Sequence, residues 1–95
     1  MEFQGALRVL GERIRTARKH KGLSQERLAL EAGIDRSFMG QVERGQRNVS
    51  FSTLCRLASV IGQDVGALCE GLPSPTQALV EDSPPYPAKR TKSRS

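Results

Sequence analysis

The side chains with the clearest chemical use lie in the middle of the chain, where the spacing of apolar residues predicts a short helix. From position 36 to 44, apolar residues fall on one side of that helix and hydrogen-bonding residues fall on the other. The apolar side carries Phe38, Met39 and Val42. The polar side carries Arg36, Ser37, Gln41 and Arg44. Arginine, serine and glutamine are side chains that bind the edges of DNA bases and phosphate oxygens.

The first three polar residues are predicted to read base edges. A recognition helix enters the major groove with its N-terminal end, which brings Arg36, Ser37 and Gln41 to the bases. Arg36 can fork onto O6 and N7 of guanine, and Gln41 can pair with N6 and N7 of adenine. Each good bidentate contact discriminates by about 1–3 kcal/mol. A contact of Arg36 with phosphate alone stays open as the alternative.

A second group is predicted to bind the DNA backbone and to fix the register of the recognition helix. Backbone amides at the start of the preceding helix can hold a phosphate, and Gln25 adds a side-chain donor there. The other members of the group are Phe38, Arg44, Arg47 and Asn48. For Phe38, contact with a thymine methyl group or a sugar and plain packing inside the protein both stay open. Gly40 costs roughly 1 kcal/mol relative to alanine inside a helix, so a DNA or protein backbone is expected to approach it closely.

A second short helix, just before the recognition helix, must hold it in place. Ser24 is a suitable N-cap for this earlier helix, and Gly33 can take the left-handed conformation that ends it. Asp35 is in turn a suitable N-cap for the recognition helix. The turn between them is only about three residues long, which is typical of a helix-turn-helix unit.

Three further helices are predicted around this unit, so the expected fold is all-α with five helices. They cover residues 7–21, about 52–61 and about 65–70, and residues 1–6 are expected to be frayed. In the first helix, the residues expected to face outward are Arg8, Glu12, Arg13, Arg15 and Lys19. In the fourth helix, the expected buried stripe is Phe51, Leu54, Leu57, Ala58 and Ile61.

The segment from Leu23-Ser24-Gln25 to Gly45 resembles the lambda-repressor and Cro-like helix-turn-helix family, also called the xenobiotic-response-element type. Flanking segments extend the likeness to residues 7–70. They are Gly11-Glu12-Arg13-Ile14-Arg15 with Arg18, which resemble the first helix of the family, and Leu54, Leu57-Ala58 and Ile61-Gly62, which resemble its fourth. The resemblance implies a five-helix lambda-repressor-like domain that binds double-stranded DNA and regulates transcription.

Glu43 is an acid within the segment that faces DNA. A carboxylate beside phosphates is costly unless a cation neutralises it. The resemblance implies that Arg18, on the inner edge of the first helix, pairs with Glu43 and braces the first helix against the recognition helix. We therefore predict a structural pair. The alternative is that Glu43 accepts a hydrogen bond from a cytosine amino group.

The composition of the 95-residue chain limits the functions to consider. The 15 basic and 10 acidic side chains give a net charge of +5, which suits a polyanionic partner but is weak evidence alone. No apolar run is long enough for a bilayer and no signal segment is visible, so a cytoplasmic location without a membrane partner is expected. Cys55 and Cys69 are isolated, so no metal site is predicted. Since no catalytic motif is visible, neither an enzyme nor a cofactor is expected.

The chain divides into a predicted DNA-binding domain, residues 1–72, and a tail, residues 73–95. All five prolines lie in the tail, which ends in a basic run at positions 89–94. This composition predicts a disordered segment. The tail is also the place where a protein partner would bind. If it wraps a toxin, the chain is a DNA-binding antitoxin, which is the alternative to a plain regulator.

A homodimer is predicted because one small domain contacts too few base pairs to mark a site in a genome. Two copies would read half-sites about one helical turn apart, on a palindromic operator. The expected interface is the apolar surplus of the last helix, namely Ala67, Cys69 and Leu72. Residues 35–38 and 42–50 also resemble the controller proteins of restriction–modification systems, which are small dimeric regulators of their own operons. The long proline-rich tail departs from their compact ends.

Overall fold

A computed structural model describes residues 3–74, and in that range it contains five helices and no strand, which confirms the all-α prediction. The helices are α1 (Gln4–His20), α2 (Gln25–Ala32), α3 (Arg36–Glu43), α4 (Phe51–Ile61) and α5 (Val65–Cys69). None of these helices is long and apolar enough to cross a membrane. Of the predicted tail, only Pro73 and Ser74 belong to the described residues, so the prediction of disorder lies outside them.

Side-chain caps begin four of the helices. Ser24, Asp35, Ser50 and Asp64 each accept a hydrogen bond from a backbone N–H three residues later, at the starts of α2, α3, α4 and α5. The start of α1 is different, because Phe3 forms no side-chain cap bond there. The helix begins at Gln4, which is earlier than predicted. Residues 4–6 are helical and not frayed.

The helices surround one apolar core. α1 packs on α3, α4 and α5, while α2 packs on α3 and α4. The core consists of Leu10, Ile14, Leu28, Ala29, Ala32, Met39, Val42, Leu54, Leu57, Ala58, Ile61 and Leu68. The prediction for Phe51 was wrong, since its side chain is 72% exposed. Phe51 is the first residue of α4, and no described element covers that turn, so the buried stripe begins at Leu54.

Arg13 also departs from the sequence prediction, which turned it outward. It is half-buried, and its Nη1 donates to the carbonyl oxygens of Leu68 at 2.9 Å and Glu70 at 2.6 Å. The last carbonyl groups of a helix have no partner within the helix. Arg13 satisfies those at the end of α5 and so attaches the last helix to α1.

Two glycines allow α1 to lie directly on the end of α3. A Cβ atom at Gly11 would lie 2.5 Å from the carbonyl oxygen of Val42. A Cβ atom at Gly45 would lie 2.7 Å from the Cα atom of Arg8, and Gly45 also has a φ of 73°. Any other residue at either position would therefore separate the two helices. The contact places the backbone of Arg8 beside Gly45, the residue that follows Arg44.

Candidate nucleic-acid interface

The turn between α2 and α3 sets the direction of the recognition helix. Gly33 takes a φ of 71°, and the N–H of Ile34 donates to the carbonyl oxygen of Ala29 at 2.9 Å. The side chain of Asp35 then accepts from the N–H of Phe38 at 3.2 Å and starts α3. These two hydrogen bonds and the conformation of Gly33 set the direction in which α3 leaves α2. The short helix-turn-helix unit expected from the sequence is present.

The predicted base-reading residues lie on the outer side of α3. Arg36 and Ser37 are exposed, and Gln41 is half-buried, while Met39 and Val42 on the opposite side are buried in the core. The structure therefore brings Arg36, Ser37 and Gln41 onto one accessible surface, as the sequence pattern predicted. Their contacts with bases stay a prediction.

Arg18 and Glu43 form a buried ion pair beneath that surface. The two oxygens of Glu43 accept from Nε and Nη2 of Arg18 at 2.6 and 3.1 Å, and the side chains are only 9% and 2% exposed. Nη1 of Arg18 also donates to the carbonyl oxygen of Leu23 at 2.8 Å. The pair thus joins α1 to the start of α2 and to α3. With its carboxylate enclosed, Glu43 offers no oxygen to a cytosine.

Gln25 belongs to the same network. Its Nε2 donates to Oε1 of Glu43 at 2.8 Å, so the amide nitrogen expected to bind a phosphate is already engaged inside the protein. No sequence pattern predicts this contact, because it joins residues on two different helices. Its effect is to attach the N-terminal turn of α2 to α3. The backbone amides of that turn are thereby held at a fixed distance from the recognition helix.

Side chains, and not a backbone, occupy the space beside Gly40. A Cβ atom at this position would lie 3.3 Å from Nη1 of Arg44, 3.5 Å from Nη1 of Arg36 and 3.7 Å from Oε1 of Gln25. None of these three atoms is backbone, so the expected close approach of a protein backbone was wrong, while that of a DNA backbone stays a prediction. The missing side chain leaves room on this side of α3 for the guanidinium ends of Arg36 and Arg44. Two cationic groups on one side of a helix attract an anion.

Arg47 is held against the recognition helix, although it lies beyond it in the chain. Its Nη1 donates to Oε1 of Gln41 at 2.9 Å, and its guanidinium lies 5.3 Å from the ring centroid of Phe38. Phe38 is half-buried and packs against the core, which favours the packing alternative for this residue. Asn48 is exposed next to Arg47. Arg47, which was predicted to bind only the DNA backbone, thus contacts Gln41, which was predicted to read a base.

The outer surface carries positive charge that the protein does not neutralise. Within residues 3–74 the ion pairs are Arg18–Glu43 and Arg27–Glu31. Arg36, Arg44 and Arg47 therefore have no carboxylate partner in the described part of the chain. Nε of Arg44 donates only to the neutral side chain of Gln46, at 3.1 Å. A surface of this kind attracts the phosphates of a nucleic acid.

The residues predicted for a dimer interface are exposed to different degrees. Ala67 is exposed on α5, whereas Cys69 and Leu72 are half-buried and pack against the core of the same subunit. Ala67 also borders a groove of about 520 Å³ between α1 and α5, whose apolar lining includes Val9, Ala17 and Leu68. Accessible apolar surface is therefore present at this end of the domain, but less of it than the sequence pattern predicted.

Comparison with known proteins gives matches over the same region. Residues 14–68 match a protein-family model described as "Helix-turn-helix". Control protein C.SmaI of Serratia marcescens is 41% identical over 66 residues, which span 70% of this chain and 79% of that protein. Control protein C.BamHI of Bacillus amyloliquefaciens is 34% identical over 55 residues, which span 57% of this chain and 68% of that protein.

A solved structure supports the same likeness. The crystal structure of the restriction-modification controller protein C.AhdI from Aeromonas hydrophila superposes with a TM-score of 0.63 at 48% sequence identity. The match covers 65% of this chain and 94% of that protein. The similarity therefore includes the arrangement of the helices as well as the sequence of the helix-turn-helix unit.

Proposed function

Because the chain belongs to the helix-turn-helix family of DNA-binding transcriptional regulators, we propose that it reads an operator in the major groove of double-stranded DNA with α3. The observation that carries this proposal is the division of α3 into two sides. Its inner side is buried in the core and joined to Arg18, while its outer side presents Arg36, Ser37 and Gln41. A helix fixed in this way can be inserted into a groove without distorting the domain.

The proposed contacts divide into base reading and backbone binding. Arg36, Ser37 and Gln41 read base edges, and discrimination comes from their bidentate hydrogen bonds. Backbone phosphates are bound by the amides of the N-terminal turn of α2, by the second N–H of the Gln25 amide, and by Arg44, Arg47 and Asn48, while Phe38 contacts a sugar. The position of the Arg44 guanidinium beside Gly40 and near the side chain of Gln25 supports a phosphate position next to α2.

We further propose that the protein acts as a homodimer on a palindromic operator. Paired copies place two α3 helices about one helical turn of DNA apart and double the number of base contacts. The proposed interface is the end of the domain that carries Ala67, Cys69 and Leu72. We assign the DNA-binding domain to residues 1–72 and the tail to residues 73–95. Pro73 lies 3.6 Å from the Cβ position of Gly5, so the chain still contacts α1 at this boundary.

The relatives suggest which genes the protein regulates. Two of them are named control proteins, and the superposed structure is a restriction-modification controller. We propose that this chain is likewise a controller that regulates transcription of a restriction–modification operon, including its own gene. Such a role requires only DNA binding and dimerisation, and both can be achieved by a domain of this size.

Selection of bound duplexes from a random library tests the proposal. The expected result is enrichment of one palindromic sequence, found also upstream of the gene that encodes the protein. Arg36→Ala is then expected to lower affinity for the enriched duplex far more than for a scrambled one, by about 1–3 kcal/mol for a lost bidentate contact. Selection that enriches no sequence would contradict base reading by α3. An equal loss on both duplexes would restrict Arg36 to phosphate binding.

A further inference from the structure

A second basic surface lies beside α3, on the side formed by α1. Arg8, Glu12 and Arg15 are exposed and recur at helical spacing, so they share one face of α1. This face forms one wall of a groove of about 410 Å³, and the helix-turn-helix unit forms the other. The residues that line the groove are Arg8, Glu12, Arg15, Gln25, Glu43 and Arg44.

The groove has more positive charge than its own acids neutralise. Glu43 is buried and engaged by Arg18 and Gln25, so it contributes no free negative charge. Neither Arg8 nor Arg15 is in an ion pair within residues 3–74, although Glu12 lies between them. Three arginines against one unengaged glutamate leave a surplus of two positive charges. A surplus of this kind attracts an anionic ligand.

The groove is continuous with the DNA-binding surface. Gly45 contacts the backbone of Arg8, which fixes Arg8 next to Arg44. The guanidinium ends of Arg44 and Arg36 both lie beside Gly40. Arg44 therefore borders both the outer side of α3 and the groove that Arg8 and Arg15 line. A duplex read by α3 has its sugar-phosphate backbone on either side of that helix, which brings phosphates toward this groove.

We propose that the groove binds a backbone phosphate of the duplex that α3 reads, with Arg8 and Arg15 as donors from α1 and Arg44 shared between the two surfaces. The proposal rests on the proposed function, since it needs a duplex positioned by α3. Guanidinium groups bind phosphate through paired, charge-assisted hydrogen bonds. Phosphate contacts carry no sequence information. The groove therefore adds affinity and leaves the preferred sequence unchanged, while Glu12 weakens the attraction.

The test measures affinity of the full-length protein for the selected operator and for a scrambled duplex over a series of salt concentrations. Arg8→Gln and Arg15→Gln are each expected to weaken both duplexes by a similar factor. Each should also reduce the slope of log affinity against log salt, by up to about 0.9, the value for one phosphate that is no longer neutralised. Lys21→Gln is the matched control, because it removes one positive charge at the end of α1, where Lys21 lies near Gly62 and not in the groove.

Glu12→Gln supplies a result that misfolding cannot imitate. Removing the one unengaged acid of the groove is expected to strengthen binding to both duplexes several-fold. If the arginine variants match Lys21→Gln and Glu12→Gln gains nothing, the groove does not bind DNA. If the variants change sedimentation but not DNA affinity, the groove binds a second copy of the protein and not DNA, which would overturn the proposal. A wild-type protein that does not distinguish the two duplexes would contradict the proposed function itself.

Discussion

Arg47 and Gln41 are in contact before any DNA is bound, and this links two residues that the sequence assigns to different tasks. As a backbone contact alone, Arg47 would contribute equally on every duplex. The hydrogen bond to Gln41 and the stacking on Phe38 instead restrict the orientation of the glutamine amide. A glutamine that reads adenine needs its oxygen and nitrogen in fixed positions. Arg47 is therefore suited to orient Gln41 as well as to contact phosphate.

We expect Arg47→Ala and Gln41→Ala to be non-additive in operator binding. Residues in one hydrogen-bonded network have coupling energies of about 0.5–3 kcal/mol. A double-mutant cycle on the selected operator measures this coupling, and the same cycle with Asn48→Ala in place of Gln41→Ala is the control. Additive losses for Arg47 and Gln41, within about 0.5 kcal/mol, would mean that their contact in the free protein has no role on DNA.

Sequence reasoning identified the polar residues of the candidate site but not their partners. Amphipathic spacing depends on neighbours along the chain, and it was enough to place Arg36, Ser37 and Gln41 on the outer side of α3. The contact of Gln25 with Glu43 and that of Arg13 with the end of α5 join residues far apart in the chain. Such contacts depend on how the helices pack, which no local pattern specifies. The Arg18–Glu43 pair was predicted only because a family resemblance supplied it.

The buried ion pair of Arg18 and Glu43 joins two helices, α1 and α3. We expect Glu43→Gln to destabilise the domain and to leave the preferred bases unchanged. Removing one partner of a buried pair costs about 3–5 kcal/mol. Thermal unfolding measures the loss, and Glu31→Gln is the control, since the exposed Arg27–Glu31 pair contributes about 0.5 kcal/mol or less. An unchanged melting temperature with a new base preference would instead make Glu43 a reader of DNA.

Two helical glycines give opposite expectations. Gly11→Ala should destabilise the protein by about 1–3 kcal/mol or more, because the added Cβ would overlap the backbone of α3.

Gly40→Ala should leave the stability of the protein unchanged or raise it by up to about 1 kcal/mol, since only the ends of long side chains lie nearby. It should nevertheless weaken DNA binding, because Arg36 and Arg44 are displaced. Chemical unfolding and affinity measurements on both variants separate the two effects. Normal DNA binding by Gly40→Ala would show that the positions of Arg36 and Arg44 beside residue 40 do not matter for affinity.

The elements themselves were predictable wherever the chain marks their ends. Ser24 and Asp35 cap helices as expected, and Gly33 ends α2 as expected. The start of α1 was missed because no capping side chain marks it. The burial of Phe51 was predicted wrongly. Helical spacing shows which face of α4 turns toward the core, but not how far along that face the neighbouring helices extend.

Dimer formation by the whole molecule is expected to be lost when a charge is placed at Ala67. This residue is exposed on α5, so Ala67→Glu should not disturb the core of the subunit. We expect the variant to sediment as a monomer and to lose affinity for a two-half-site operator by a factor on the order of 10². Ser59→Glu, which adds the same charge to an exposed position of α4, is the control. A dimer unaffected by Ala67→Glu would place the interface elsewhere.

The division of α3 into a buried and an outer side also makes the domain suitable for engineering. The outer residues are exposed or are bonded to one another, whereas the buried side holds the contacts that keep α3 in place. If α3 reads the operator as proposed, we therefore expect new side chains at positions 36, 37 and 41 to redirect the protein to a different operator while the scaffold is retained. Because Gln41 is bonded to Arg47, a library that varies position 41 should vary position 47 with it.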